Sequence, residues 1–196
     1  HLFAPESGAP ALWHFGKQLA LNDGPRALLP VLTQVTLKTR HQVCLLGYLS
    51  AIRASSLEFF LSTLRGFLKM ESTAWLGASI MFCFEYDDEL FVQCLDAVEK
   101  KWFDPQLFSS LRFGTFFESM PLERTGRLLR YLDQHNDERS LILLVELLDL
   151  SPFNSSSPFN PDFVFGIVSR SVLCEARKET WMNICLKLIK WDTTRI

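Results

Sequence analysis

The sequence predicts an all-α protein, an α-solenoid of antiparallel helix pairs of the HEAT or TPR kind with about ten helices. An irregular helical bundle is the alternative architecture. Three observations carry the prediction. Apolar residues recur at three- and four-residue steps through most of the chain. Short polar, Gly or Pro breaks separate these stripes, and few stretches alternate with period two. The pattern also repeats: Leu57, Phe60, Leu61, Leu64 and Leu68 moved forward by 34 residues land on Phe91, Cys94, Leu95, Val98 and Trp102. A further step of 50 takes Phe91, Cys94, Leu95 and Val98 onto Leu141, Leu144, Val145 and Leu148. The second step is longer because a short turn of helix, Asp104 to Gly114, is inserted.

The elements follow in order. Leu12, Phe15, Gly16 and Leu19 make the first stripe, which stops at Asn22-Asp23-Gly24-Pro25. Pro25 suits the first turn of the next helix, where its missing N–H costs nothing. Leu28, Leu29, Leu32 and Val35 continue, with Pro30 near the N-terminal end or at a kink. After Lys38-Thr39-Arg40 come Val43, Leu45, Leu46, Leu49 and Ile52. Ser55-Ser56 offers an N-cap for the Leu57–Leu68 stripe, and Ser72 or Thr73 one for Trp75, Leu76, Ile80, Phe82 and Cys83. Asp87-Asp88 caps Leu90 to Trp102, with Lys100-Lys101 complementing the dipole at the far end. Pro121 opens a segment with Leu122, Leu128, Leu129 and Leu132, and Asn136 or Asp137 starts the next. Ser151 to Pro161 is a Ser/Pro loop by composition. Beyond it, Phe163, Ile167 and Val168, then Trp181, Ile184, Cys185, Leu188 and Ile189, read as two more helices. The organisation expected is therefore a helical-repeat array over 1–151, a loop over 152–161, and a C-terminal helix pair, 162–196, packed on the array.

Composition excludes several classes. With 48% apolar residues, 17 of them Phe, the chain buries enough surface to offset its conformational entropy and is not disordered. A net charge of −2 argues against a dedicated nucleic-acid binder. No apolar run approaches the roughly 20 residues of a membrane helix, which argues against a membrane partner. Five cysteines, an odd number without a C-x-x-C pair, read as buried free thiols of a cytoplasmic protein. The sequon Asn154-Ser155-Ser156 is discounted in a chain with no signal peptide. Because the chain opens at His1-Leu2 with its first element already under way, it reads as a fragment of a longer polypeptide, although a cleaved leader would look the same.

No motif specifies a reaction. The four histidines and five cysteines lack metal-ligand spacing, and neither G-x-S-x-G nor H-E-x-x-H occurs. Glu85, Asp87, Asp88 and Glu89 read as a helix cap rather than a cation site. Catalytic residues, cofactors and metals are accordingly expected to be none. The candidate binding residues are Arg124, Arg127 and Arg130, which recur every three residues as a basic ridge followed by Tyr131. Phe153 and Phe159, with Phe163 and Phe165, surround the Ser/Pro loop as a candidate contact surface. A second basic group, Arg177, Lys178, Lys187, Lys190 and Arg195, alternates with Trp181 and Trp191.

Three segments carry a family resemblance: Val43-Cys44-Leu45-Leu46-Gly47-Tyr48-Leu49-Ser50-Ala51-Ile52, Leu107-Phe108-Ser109-Ser110-Leu111, and Leu122-Glu123-Arg124-Thr125-Gly126-Arg127-Leu128-Leu129-Arg130. In this order the chain, from Gly16 to Pro152, resembles the helical-repeat C-terminal regions of large bacterial NTPases of the STAND class, several of which sense phage. The resemblance implies a sensing or scaffolding array attached to an NTPase and an effector placed elsewhere. This chain has no Walker A loop and no strict TPR consensus, so no functional residue carries over. The function expected is a non-catalytic protein-binding scaffold whose partner is another protein or the remainder of a larger polypeptide. A small all-α hydrolase or transferase is the competing class.

Overall fold

The structure, a computed structural model, describes residues 8–112, 116, 119–135, 137–150, 161–171 and 178–193. It is all-α. Among the described residues there are ten α-helices, one 3-10 helix and no strand. The helices are α1 (Ala9–Asn22), α2 (Leu28–Thr39), α3 (Val43–Ser55), α4 (Leu57–Leu68), α5 (Glu71–Met81), α6 (Asp88–Glu99), the 3-10 helix Pro105–Arg112, α7 (Leu122–His135), α8 (Glu138–Leu150), α9 (Pro161–Ser171) and α10 (Lys178–Thr193).

Three helix starts, those of α4, α6 and α8, follow the capping chemistry of the sequence. Ser56 accepts a hydrogen bond from the Phe59 N–H at 3.4 Å, and Asp87 from the Leu90 N–H at 2.9 Å. Asp137 receives the Ser140 N–H at 3.0 Å at the head of α8. Arg40, in the left-handed region at φ 62°, ends α2. Two starts differ from expectation. Pro25 lies in a turn ahead of α2, because the Asp23 carboxylate accepts from the Ala27 and Leu28 N–H groups at 3.0 and 2.7 Å and so sets the helix start beyond it. Neither Ser72 nor Thr73 caps α5: both sit inside its first turn after the extended Met70. The Thr73 hydroxyl instead donates to the Phe67 carbonyl at 2.8 Å, tying α5 to the end of α4.

Two compact units divide the chain, one up to Phe103 and one from Asp104. This differs from the boundary expected at 152–161, residues that are for the most part outside those described. The reason is packing: α8 holds α9 and α10 as well as α7 and the 3-10 helix, so the last helix pair shares a unit with the helices before it. Within each unit, every substantial helix contact joins helices adjacent in the chain or one element apart. That locality suits a stack of helical pairs and an irregular bundle alike. The repeat register also has physical content. Phe60, Cys94 and Leu144 occupy equivalent positions and are all buried, as are Leu64, Val98 and Leu148. The register is looser at Leu57, which is exposed where its equivalent Phe91 is buried.

The first unit departs from simple pairing at its start. The main partner of α1 is α3, not the adjacent α2. Two glycines make this possible. A Cβ on Gly16 would lie 2.0 Å from the Cys44 carbonyl oxygen, and one on Gly47 would lie 2.0 Å from that of Trp13. Backbone therefore meets backbone where any larger residue would hold the helices apart. Drawn in along its Gly16 side, α1 buries that residue alone, and the predicted core residues Leu12 and Phe15 are left 48% and 56% exposed. The only fully buried residue of α2 is Thr36.

Gly66 is a contrasting case, inside α4 with nothing within 4 Å of its Cβ position. Gly66→Ala is expected to stabilise the protein by about 0.5–1 kcal/mol by narrowing the unfolded ensemble. A rise in the urea midpoint at unchanged slope is the expected readout; a fall would mean that a close neighbour is present after all.

Candidate functional site

A pocket of about 160 Å³ opens in the first unit among the end of α3, the length of α4 and the α5–α6 connection. Its base is apolar and buried: Phe60, Leu64, Met81 and Leu90. Leu57, Leu61 and Phe84 wall it, and Arg53, Glu85, Tyr86 and Asp87 stand around it. The volume is about that of a cavity that holds a benzene ring.

The surrounding polar groups are fixed by one another. Arg53 Nη2 donates to Glu85 Oε2 at 2.9 Å, and its guanidinium lies 5.6 Å from the Phe84 ring centre. Phe84 in turn meets Phe60 edge-on at 4.9 Å. The Tyr86 hydroxyl donates to Asp88 Oδ1 at 2.6 Å, and its ring lies 5.7 Å from that of Phe91. Arg65 Nη2 donates to Glu89 Oε2 at 2.7 Å. Glu85 and Asp87 line the pocket with Arg53, and Asp88 and Glu89 follow at the head of α6, so this edge is acidic. Every one of these carboxylates is structurally engaged: two hold arginines, one caps α6 and one receives Tyr86. Among the described residues no group of three or more His, Cys, Asp or Glu is placed to hold a metal ion.

The sequence-predicted ridge lies on α7. Arg124 Nη1 bonds the neighbouring Glu123 at 3.1 Å, Arg127 is half-buried and Arg130 is exposed. Tyr131 stacks on His135, ring centres 5.8 Å apart. Thr125, Leu128, Leu129 and Leu132 form the buried side of this helix, so the arginines line its outer flank rather than a pocket. Phe153 and Phe159 lie outside the described residues; of their companions, Phe163 is half-buried and Phe165 is 68% exposed. In the second basic group, Lys187 Nζ bonds the Asp149 carboxylate at 3.0 Å, and Trp181 Nε1 donates to the Val168 carbonyl at 2.9 Å. Those two residues join α10 to α8 and α9. Arg177, Arg195 and the Trp191 side chain are outside the described residues.

The thiols are chemically quiet. Cys44, Cys83, Cys94 and Cys185 are free; Cys174 is outside the described residues. Burial pushes Cys83 up to about 11 and Cys94 well above the ordinary thiol value, so neither is a thiolate at neutral pH. Among the described residues no helix is long and apolar enough to cross a membrane.

Sequence reasoning missed the pocket, because its residues come from four helices and a connection. The available signal was Phe82-Cys83-Phe84-Glu85-Tyr86, an aromatic and acidic run that alternates with period two, too briefly to outweigh the helical stripes on either side. No protein-family model, no curated protein and no solved structure matches this chain.

Proposed function

We propose that the chain is a helical recognition module that binds a protein segment without chemistry of its own, taking one large apolar side chain in the pocket beside α4. The observation that carries this reading is an apolar base among carboxylates that are all committed to capping, hydrogen bonds or ion pairs. Such groups offer a fixed acidic field rather than a proton to transfer. The preferred segment is therefore a Phe or Leu flanked by Lys or Arg. Selection from a displayed random-peptide library is the test, with enrichment of that pattern as the expected result. Glu85→Lys should weaken a selected peptide about tenfold by reversing the local field, and Leu61→Glu should do the same by blocking the wall. A selection with no shared pattern, or peptides indifferent to both variants, removes the reading.

We further read the module as a HEAT- or TPR-like stretch of a large bacterial antiphage NTPase, working in the cytoplasm. This rests on the resemblance of three segments, which fall on α3, the 3-10 helix and α7. The free thiols support a reducing compartment. A P-loop domain in the same reading frame of the parent gene is the expected finding, and a frame without one ends this part of the proposal.

A further inference from the structure

The first three helices differ in charge from the rest of the chain. Residues 8–56 carry Lys17, Arg26, Lys38, Arg40 and Arg53 against a single carboxylate, Asp23. Asp23 is buried, and its oxygens are occupied by Tyr48 and by two backbone N–H groups of α2 and the turn before it. Of these Arg53 pairs with Glu85, and beyond the region Arg65 pairs with Glu89, Arg170 with Asp133 and Lys187 with Asp149. Lys17, Arg26, Lys38 and Arg40 form no ion pair among the described residues. Three of them lie over aromatic rings instead: Lys17 at 4.0 Å from Trp13, Arg26 at 4.1 Å from Phe59 and Arg40 at 4.4 Å from Trp75.

Within this basic region α2, with Thr36 as its one buried residue, presents an ordered apolar edge. Leu28, Val31 and Val35 are 36%, 54% and 50% exposed. Their three- and four-residue steps put them on one face of α2, and Lys38 continues that face. Arg26 stands at the other end, over the exposed Phe59. An apolar edge of α2 is thus followed by Lys38 within the helix and preceded by Arg26 in the turn before it.

We propose that this ridge of α2 docks an acidic amphipathic helix of a partner protein. A helix fits because side chains at these steps form a ridge that packs into the grooves of another helix. The partner is acidic because Lys38, on the face itself, and Arg26, in the turn before it, form no ion pair among the described residues, and like charge there would be repelled. Helix fits better than membrane because Arg26 and Arg40 lie on rings, which fixes their positions, whereas a fluid headgroup layer is met by long side chains free to follow it. The surface is separate from the pocket beside α4 and does not depend on it.

The probes are two helix-stabilised peptides sharing one leucine ladder, one carrying Glu at both ends and the other Lys in the same places. Fluorescence anisotropy with the full chain is expected to show saturable binding of the Glu peptide, weakened by added salt, and at least about tenfold weaker binding of the Lys peptide. Val31→Asp and Lys38→Glu should each lower affinity for the Glu peptide about tenfold, while Leu186→Asp, at a 54% exposed site on α10, should leave it unchanged. All three positions are exposed, and circular dichroism checks that each variant keeps its helices; Lys38→Glu reads the effect of charge without touching the apolar edge. Equal binding of the two peptides, absence of saturable binding, or binding to phosphatidylserine-containing vesicles in place of the Glu peptide would each overturn the proposal.

Discussion

Gly47→Ala is expected to drive α1 off α3 and to melt the first unit well below the wild type. The new Cβ would stand 2.0 Å from the Trp13 carbonyl oxygen and 2.8 Å from its carbon. Both are backbone atoms, so no rotamer change relieves the clash, and α1 as a body has to move. Overpacking of this kind costs about 3 kcal/mol, the upper end of its usual range. For a unit of this size that is a fall of about 10–20 °C in the melting midpoint. Gly16→Ala should behave alike, since its Cβ meets the Cys44 carbonyl oxygen at the same 2.0 Å. The two are not expected to add: once α1 has left α3, the second alanine has nothing left to strike. Hydrogen exchange at the amides of α1, with thermal melts of both single variants and the double, checks this. Wild-type melting and protected α1 amides in Gly47→Ala would show that the helices do not touch there.

The second large effect concerns acid and alkali. The Tyr48 hydroxyl, fully buried, donates to Asp23 Oδ2 at 2.7 Å. That bond, and after it the N–H groups of Leu28, Ala27 and Arg26, hold the Asp23 carboxyl below its ordinary 3.8, against the opposing effect of burial. A carboxyl depressed in the folded state contributes stability that is complete above its unfolded value and is lost as pH falls toward the folded one. Acid weakening traced to Asp23 should therefore begin near pH 3.8 and grow below it. Tyr48 works in the opposite direction. Burial, and then the hydrogen bond and charge of Asp23, raise its hydroxyl far above the ordinary 10.0. Its contribution is complete below pH 10 and is lost as pH rises beyond that, where the unfolded phenol ionises first. Urea midpoints across pH are expected to show both arms in the wild type. Asp23→Asn should flatten the acid arm. Tyr48→Phe should abolish the alkaline arm and shrink the acid arm, because the largest cause of the Asp23 depression is gone while its unfolded value is unchanged. An acid arm indifferent to Asp23→Asn would assign it to other carboxylates.

The two glycines and this buried pair act together at the start of the chain. Gly16 and Gly47 let α1 lie directly on α3, and Asp23, held by Tyr48 of α3, fixes where α2 begins. The apolar edge of α2 is left outside by that arrangement. It is a consequence of the close contact between α1 and α3, which leaves α2 with Thr36 as its only fully buried residue.

The helical class and several of the helix starts were legible from local chemistry. Stripes at three- and four-residue steps, Ser56 and Asp87 as caps, and the polar stop at Arg40 act through neighbours within one or two turns, so the sequence alone carries them. Even the repeat register emerged, because Phe60, Cys94 and Leu144 answer the same demand for burial on equivalent faces. The partner of each face did not. Leu12 and Phe15 have the spacing of a buried stripe, yet the face of α1 that is buried is chosen by Gly16 meeting the backbone of Cys44 and Tyr48, far along the chain. The pocket was hidden for the same reason, since Arg53, Leu61, Glu85 and Leu90 come together only when α3, α4 and α6 are packed. Periodicity records that a side of a helix is apolar. Which apolar sides are covered, and which remain open to a partner, depends on contacts between residues far apart in the chain, and only the tertiary structure decides those.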